Sequence, residues 1–408
     1  MVRGKNWSKL FVGLFAITAT AIGESRGPDS APPLPTPTGT VIRVSTEGQL
    51  QAAVGAMASG TTILIAPGVY RLTSTLNIGN RTLTNVALRG STNNRNDVVL
   101  LGPGMSNRNY GTVPHGVWTG NGVNGVLIAN LTISGFYFHP VILNAGTKAP
   151  HLYNVRLVDG GEQLLKSNPD DGGRGVDSGV VEYSVFEFTD RSRDHYTNGV
   201  DVLGGAGWII RDNLFRNIAA PQGQLAGPTI LMWRGSRDTI VERNTFIDCQ
   251  REIAFGLAPG TSTTDHWGGV IRNNFIFRRA SVQGDAAIGV NDSPNTVVVH
   301  NSVLISGTYP NAIEYRFKGT TGALIGNNLT DAAIRARDDA TASLIGNETS
   351  AAPTMFVAPA SGDLHLTRAA FAALPKASSV GATTDWDGDP RAQGATADLG
   401  ADERSAAR

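Results

Sequence analysis

Six short stretches share one pattern: two or three apolar residues, a polar pair, an asparagine, and apolar residues again. They run from Trp208 to Phe215, Thr239 to Phe246, Gly269 to Ile276, Val297 to Leu304, Ala323 to Thr330 and Ser343 to Ser350. Their asparagines are Asn213, Asn244, Asn274, Asn301, Asn327 and Asn347, separated by steps of 31, 30, 27, 26 and 20 residues. Such steps are too regular for unrelated strands and too variable for a helical array, so they indicate a solenoid whose turns carry loops of different length. Each unit is short, rich in β-branched residues and closed by Asn or Gly, which fits parallel strands stacked about 4.8 Å apart. A carboxamide carries two donors and an acceptor and tolerates a bent backbone, so stacked copies bond along a column. The expected fold is therefore all-β: a single right-handed parallel β-helix of roughly 9–11 coils spanning residues 41–350.

Upstream, Asn130 and Asn154 fall at the same expected ladder position, and Ser184 replaces the asparagine in the stretch from Val180 to Phe188. At the start, the stretch VIRVST forms a first strand. Ser45 or Thr46 then caps a helix that presents Leu50, Ala53, Val54 and Met57, placed to cover the open end of the solenoid.

Composition narrows the classes. There are 49 glycines and only 17% charged residues, which favours a turn-rich β protein. Lys plus Arg equals Asp plus Glu at 34 each, without a basic block, so no nucleic-acid partner is expected. The lone Cys249 excludes an internal disulfide and reads as a small buried residue. Residues 1–23 place Arg3, Lys5 and Lys9 before an apolar run with a small-residue cleavage pattern. They read as a secretory signal, too short for a membrane span. Residues 24–40 are rich in Pro, Ser and Thr and read as an extended tether. Residues 351–408 leave the repeat and are expected to pack on or cap the last coil. Their Asp385, Asp387 and Asp389 alternate in a way that offers oxygens to calcium.

A recurring strand follows each ladder turn. If Leu165, Val200, Ile230, Ile253, Ile288 and Ile313 point inward, alternation turns Lys166, Asp201, Trp233, Asn291, Glu314 and Arg316 outward on one face. Lys166 and Asp201 then sit on adjacent coils about 5 Å apart, whereas Glu314 lies about 19 Å from Asp201. The flanking loops supply Glu162, Asp170, Asp171, Arg174, Arg191, Arg193, Asp194 and His195. Carboxylates beside cations on glycine-bearing loops suit an anionic sugar chain.

The chemistry such parts support is β-elimination from a uronate. A cation neutralises the carboxylate as the enolate-like state forms while a base takes the neighbouring proton. Lys166 is the candidate base, with Arg174 and His195 as rivals. Arg191, Arg193, Tyr196 and Trp233 are candidate sugar contacts, with Trp267 a further aromatic platform.

The helix-led start from Val44 to Tyr70, the asparagine-marked coils and the Lys- and Asp-bearing loops resemble the pectate-lyase-like β-helix proteins, which include pectate, alginate and chondroitin lyases. The resemblance implies a secreted or surface-exposed protein acting on an acidic polysaccharide as a monomer, most simply a lyase, with a non-catalytic glycan-binding or adhesive protein as the alternative. It also implies calcium, held by Asp170, Asp171 and Asp201 beside Lys166. The stretch from Thr197 to Val202 is similar to the first acidic motif of polygalacturonase-type hydrolases, but the paired aspartates expected one coil later are absent, which disfavours hydrolysis by paired carboxylates. The C-terminal DWDGDPR and ADLGADE are similar to a tail on secreted bacterial β-helix proteins.

Overall fold

The structure is a computed structural model, described for residues 27–258, 264–378, 380–392 and 396–404. The proposed signal, residues 1–23, lies outside the described residues. The chain winds as a parallel β-helix with three walls. Wall A and wall B meet at the asparagine corner, and wall C completes each coil.

In the regular region, wall A contains Val180–Glu182, Ile209–Arg211, Ile240–Glu242, Val270–Arg272, Val297–Val299, Ala323–Gly326 and Ala342–Ile345. Wall B contains Val185–Glu187, Leu214–Arg216, Thr245–Ile247, Phe275–Phe277, Ser302–Leu304 and Leu329–Thr330. In two earlier coils, single long strands, Val123–Ser134 and His151–Val158, bend through the corner and serve both walls. Wall C is a ten-stranded parallel sheet among the described residues, running from Leu76–Asn77 to Ala333–Arg337.

Two residues make each corner, and they meet different demands. The first adopts a left-handed backbone: φ is 57° at Asp212, 52° at Arg243, 53° at Asn273, 53° at His300 and 54° at Asn327. The second turns its side chain inward and builds the ladder. The amide of Asn213 donates to Asn244 at 3.0 Å, Asn244 to Asn274 at 3.1 Å, Asn274 to Asn301 at 2.9 Å, Asn301 to Asn328 at 2.9 Å and Asn328 to Asn347 at 2.9 Å. Asn328, not Asn327, is thus the fifth member; Asn327 is the left-handed residue before it.

Asn130 and Asn154 are corrected in the same way. Their φ values are 56° and 51°, and they stand in the left-handed column while Leu131 and Val155 fill the ladder column. Short polar side chains are tolerated in both columns for separate reasons, which is why spacing alone confuses them. Ser184 does occupy the ladder column: its backbone N–H donates to Asn213 at 2.9 Å.

Inside the helix, residues in register stack by type. Phe186, Phe215 and Phe246 of wall B lie face to face with ring centroids 4.9 Å apart. Helix α1 (Glu47–Gly55) packs Leu50, Ala53 and Val54 into this core at its first coils, and Thr46 caps it by accepting from the Gln49 amide. Cys249 is fully buried.

Residues 27–40 differ from the tether read from their composition. Arg89 donates to the carbonyls of Leu34 and Pro35, Tyr153 donates to Pro32 at 2.5 Å and Arg95 pairs with Asp29 at 3.0 Å. A proline-rich segment outside any sheet has unpaired carbonyls, and wall A supplies donors for them. The segment after residue 350 runs along wall B, where Phe356, Leu364, Leu366, Trp386 and Leu399 form a second core with Phe275, Phe277, Leu304 and Leu329.

Candidate active site

Wall C positions the chemistry. Leu165, Val200, Ile230, Ile253, Ile288 and Ile313 are in register and buried. The next residue on each strand faces outward, giving the column Lys166, Asp201, Leu231, Ala254, Gly289 and Glu314. The residues two positions after Asp201, Leu231 and Gly289, namely Leu203, Trp233 and Asn291, stand in a second outward column beside the first.

Lys166, Asp201 and Trp233 form one hydrogen-bonded unit. Lys166 Nζ donates to Asp201 Oδ2 at 2.6 Å, and Trp233 Nε1 donates to Asp201 Oδ1 at 2.8 Å. The side chains of the ion pair are only 8% and 3% exposed, so it is shielded from salt and water. Burial pushes the Asp201 carboxyl up, against the opposing pull of Lys166 and Trp233.

The loop preceding Lys166 adds a second group of partners. Glu162 Oε2 stands 3.7 Å from His139 Nε2, and Glu162 Oε1 stands 3.8 Å from Arg193. Arg193 also covers the Tyr137 ring at 4.1 Å and donates to the carbonyls of Met105 and Tyr137. His139 stacks on His115 with centroids 5.2 Å apart and bonds the Gln163 carbonyl through Nδ1 at 3.0 Å. Burial lowers His139 to about 3 and His115 to about 4, so both rings are neutral near pH 7. Burial raises the Glu162 carboxyl, opposed by Arg193 and Lys166 and reinforced by Asp194.

The remaining sequence candidates lie apart from this cluster. Arg174 is paired with Asp170 at 2.9 Å within its own exposed loop, and the same carboxylate accepts from the Gly172 and Arg174 amides. Asp171 and His195 are exposed, and Tyr196 is 54% exposed. Arg191 donates to the Ala220 carbonyl at 2.9 Å. Trp267 is exposed on a short strand beside the walls, paired with Arg237.

A calcium ion held by Asp170, Asp171 and Asp201 does not fit this arrangement. Both oxygens of Asp201 are engaged by Lys166 and Trp233, and those of Asp170 by Arg174 and loop amides. Among the described residues, the acidic groups whose ligand atoms converge within 4.8 Å are His365 with Asp387 and Asp402, and Asp385 with Asp387 and Asp389, all in the C-terminal segment.

In the sequence Glu162 carries no mark beyond its place among several loop charges, and His115 and His139 lie outside the charged loops. The signal was present: each histidine precedes an inward wall C residue, Val117 and Val141, by two positions. Beyond Asp201 the outward column shrinks to Ala254 and Gly289. This opens a cleft of about 180 Å³ lined by Arg251, Asp285, Asn291, Glu314 and Arg316.

No known protein family and no curated protein matches the chain by sequence. Solved structures do. The chain is similar to pectate lyase Pel9A with a TM-score of 0.50 at 15% identity, covering 90% of this chain and 97% of that one. It is also similar to an alginate lyase from Paenibacillus sp. str. FPU-7 (TM-score 0.39, 14% identity, 76% and 95% covered). A third match is PfbA, a surface adhesin of Streptococcus pneumoniae (TM-score 0.48, 13% identity, 74% and 86% covered). The fold is that of the pectate-lyase-like parallel β-helix proteins. No described helix is long and apolar enough to cross a membrane.

Proposed function

We propose that the chain is an exported polysaccharide lyase that cleaves a uronate-containing polymer by β-elimination, with Lys166 as the base. The observation that carries this reading is the buried Lys166–Asp201–Trp233 unit on the outer face of wall C, two coils before an open cleft on the same face. Asp201, its carboxyl pushed up by burial against the pull of Lys166 and Trp233, accepts the 2.6 Å hydrogen bond from Lys166 and so fixes the amine that takes the substrate proton. Trp233 keeps Asp201 oriented toward Lys166. Arg193 supplies fixed positive charge beside the site, and the cleft over Ala254 and Gly289 gives sugar units beyond the reacting one a place to lie. The basic and apolar start of the chain supports export. No metal step is part of this reaction.

The test is the ultraviolet absorbance of the unsaturated product when uronate polymers are incubated with the protein. Product is expected with the native protein, and Lys166→Met, whose retained fold is checked by circular dichroism, is expected to lower the rate by about a hundredfold or more. Binding of these polymers without any product would replace the lyase with a glycan-binding surface protein.

A further inference from the structure

We propose that Glu162 is the general acid of this lyase and that the buried His139 positions it and holds its proton. This rests on the lyase reading and names a residue for its second proton transfer. His139 Nδ1 lies 3.0 Å from the Gln163 carbonyl, which can only accept, so that nitrogen carries the hydrogen. The ring is buried, stacked on His115 and close enough to Lys166 to feel its charge, all of which keep it neutral. Its Nε2 therefore presents a lone pair to Glu162 Oε2, 3.7 Å away. A lone pair facing a carboxylate is repulsive, and one proton between them removes the repulsion. Burial of Glu162 favours the same protonated form.

Glu162 also meets the demands of access and placement. Its side chain is 19% exposed, whereas that of His139 is 8% exposed, so the carboxyl and not the ring reaches solvent. Its backbone is fixed by donation to the Phe138 carbonyl at 3.1 Å and by the Thr197 hydroxyl on its own carbonyl at 2.9 Å. Arg193 faces its second oxygen at 3.8 Å, with Asp194 and Lys166 as the other charges acting on it. The 3.7 Å gap to His139 exceeds a hydrogen bond, and such contacts commonly tighten when substrate fills the site.

The step balances as follows. The Lys166 amine takes the proton from C5 of the uronate, and the electron pair of that bond becomes the C4–C5 double bond. The bond from C4 to the glycosidic oxygen breaks with its pair on oxygen, and Glu162 gives its proton to that oxygen. Lys166 is left as an ammonium and Glu162 as a carboxylate. Lys166 then loses its proton to water, and Glu162 regains one from water against the His139 lone pair.

Glu162→Gln keeps the shape and removes the transferable proton. With natural polymer, kcat is expected to fall about a hundred- to ten-thousand-fold while KM changes little. A substrate whose leaving group is a phenolate needs no protonation, so it should restore the rate of Glu162→Gln but not that of Lys166→Met. His139→Gln should shift the limb of the pH–rate profile that Glu162 sets and leave the other limb in place. If native protein forms unsaturated product and Glu162→Gln is unimpaired, or its defect persists with the phenolate substrate, Glu162 is not the acid although the lyase stands. If native protein forms no product from any uronate polymer, the lyase reading itself fails.

Discussion

At the scale of single residues, the corner between walls A and B shows how one amino acid serves two physical purposes. Asn273 is there because its backbone is left-handed, with φ at 53°, and Asn274 because its carboxamide joins two coils. Asn274 accepts from the Asn244 backbone and side chain, and donates to Asn301 and to the Val241 and Arg272 carbonyls. Truncating it strands buried donors and acceptors on both neighbouring coils. Asn274→Ala is expected to cost at least about 1–3 kcal/mol, read from denaturant unfolding. A loss below a few tenths of that would mean the ladder is decorative. The same scale holds the legibility of the site: alternation alone put Lys166 beside Asp201, but nothing in the spacing showed that Asp201 would be saturated by Trp233.

At the scale of elements, the C-terminal segment is tied to wall B by an ionic clasp under an aromatic stack. Phe275 lies parallel to Trp386 with centroids 4.7 Å apart, and His365 meets both rings edge-on. Burial opposes charge on His365, but Asp363 at 2.6 Å and Asp387 at 3.0 Å, with Asp402 nearby, outweigh it and raise the imidazole to about 10. A group whose folded value lies above its unfolded one stabilises most below the unfolded value, here 6.5, and loses that contribution as pH rises through about 10. The segment should therefore become progressively more sensitive to limited proteolysis as pH rises from about 6.5 to about 10, before wall C opens. In His365→Gln it should be sensitive already at neutral pH. Equal cleavage of native and variant protein across that range would remove the clasp from the account.

At the scale of the whole molecule, three walls separate structural duties from chemical ones. The strap of residues 27–40 crosses wall A, the tail covers wall B, and wall C is left open for the cleft. Loosening the strap should thus change stability and leave the reaction alone. Arg89→Ala removes the donors to Leu34 and Pro35, worth about 1 kcal/mol. It is expected to lower Tm by at most about 2–4 °C with kcat unchanged. A matching fall in kcat would show that wall A and wall C are mechanically coupled.

Sequence by itself determined the repeat, the parallel stacking, the inward row from Leu165 to Ile313 and the outward row that carries Lys166 and Asp201. Each follows from local periodicity, because in a solenoid a residue's neighbours are its counterparts one coil away. It could not separate Asn327 from Asn328, since two adjacent corner positions both accept asparagine. Only the tertiary structure decided what the loops do. Arg174 turned to Asp170 in its own loop, Glu162 met His139 from the coil before, and the proline-rich strap found the donors of wall A. Loop length sets no register, so these partners are chosen by burial and by unsatisfied polar groups meeting in space rather than by spacing along the chain.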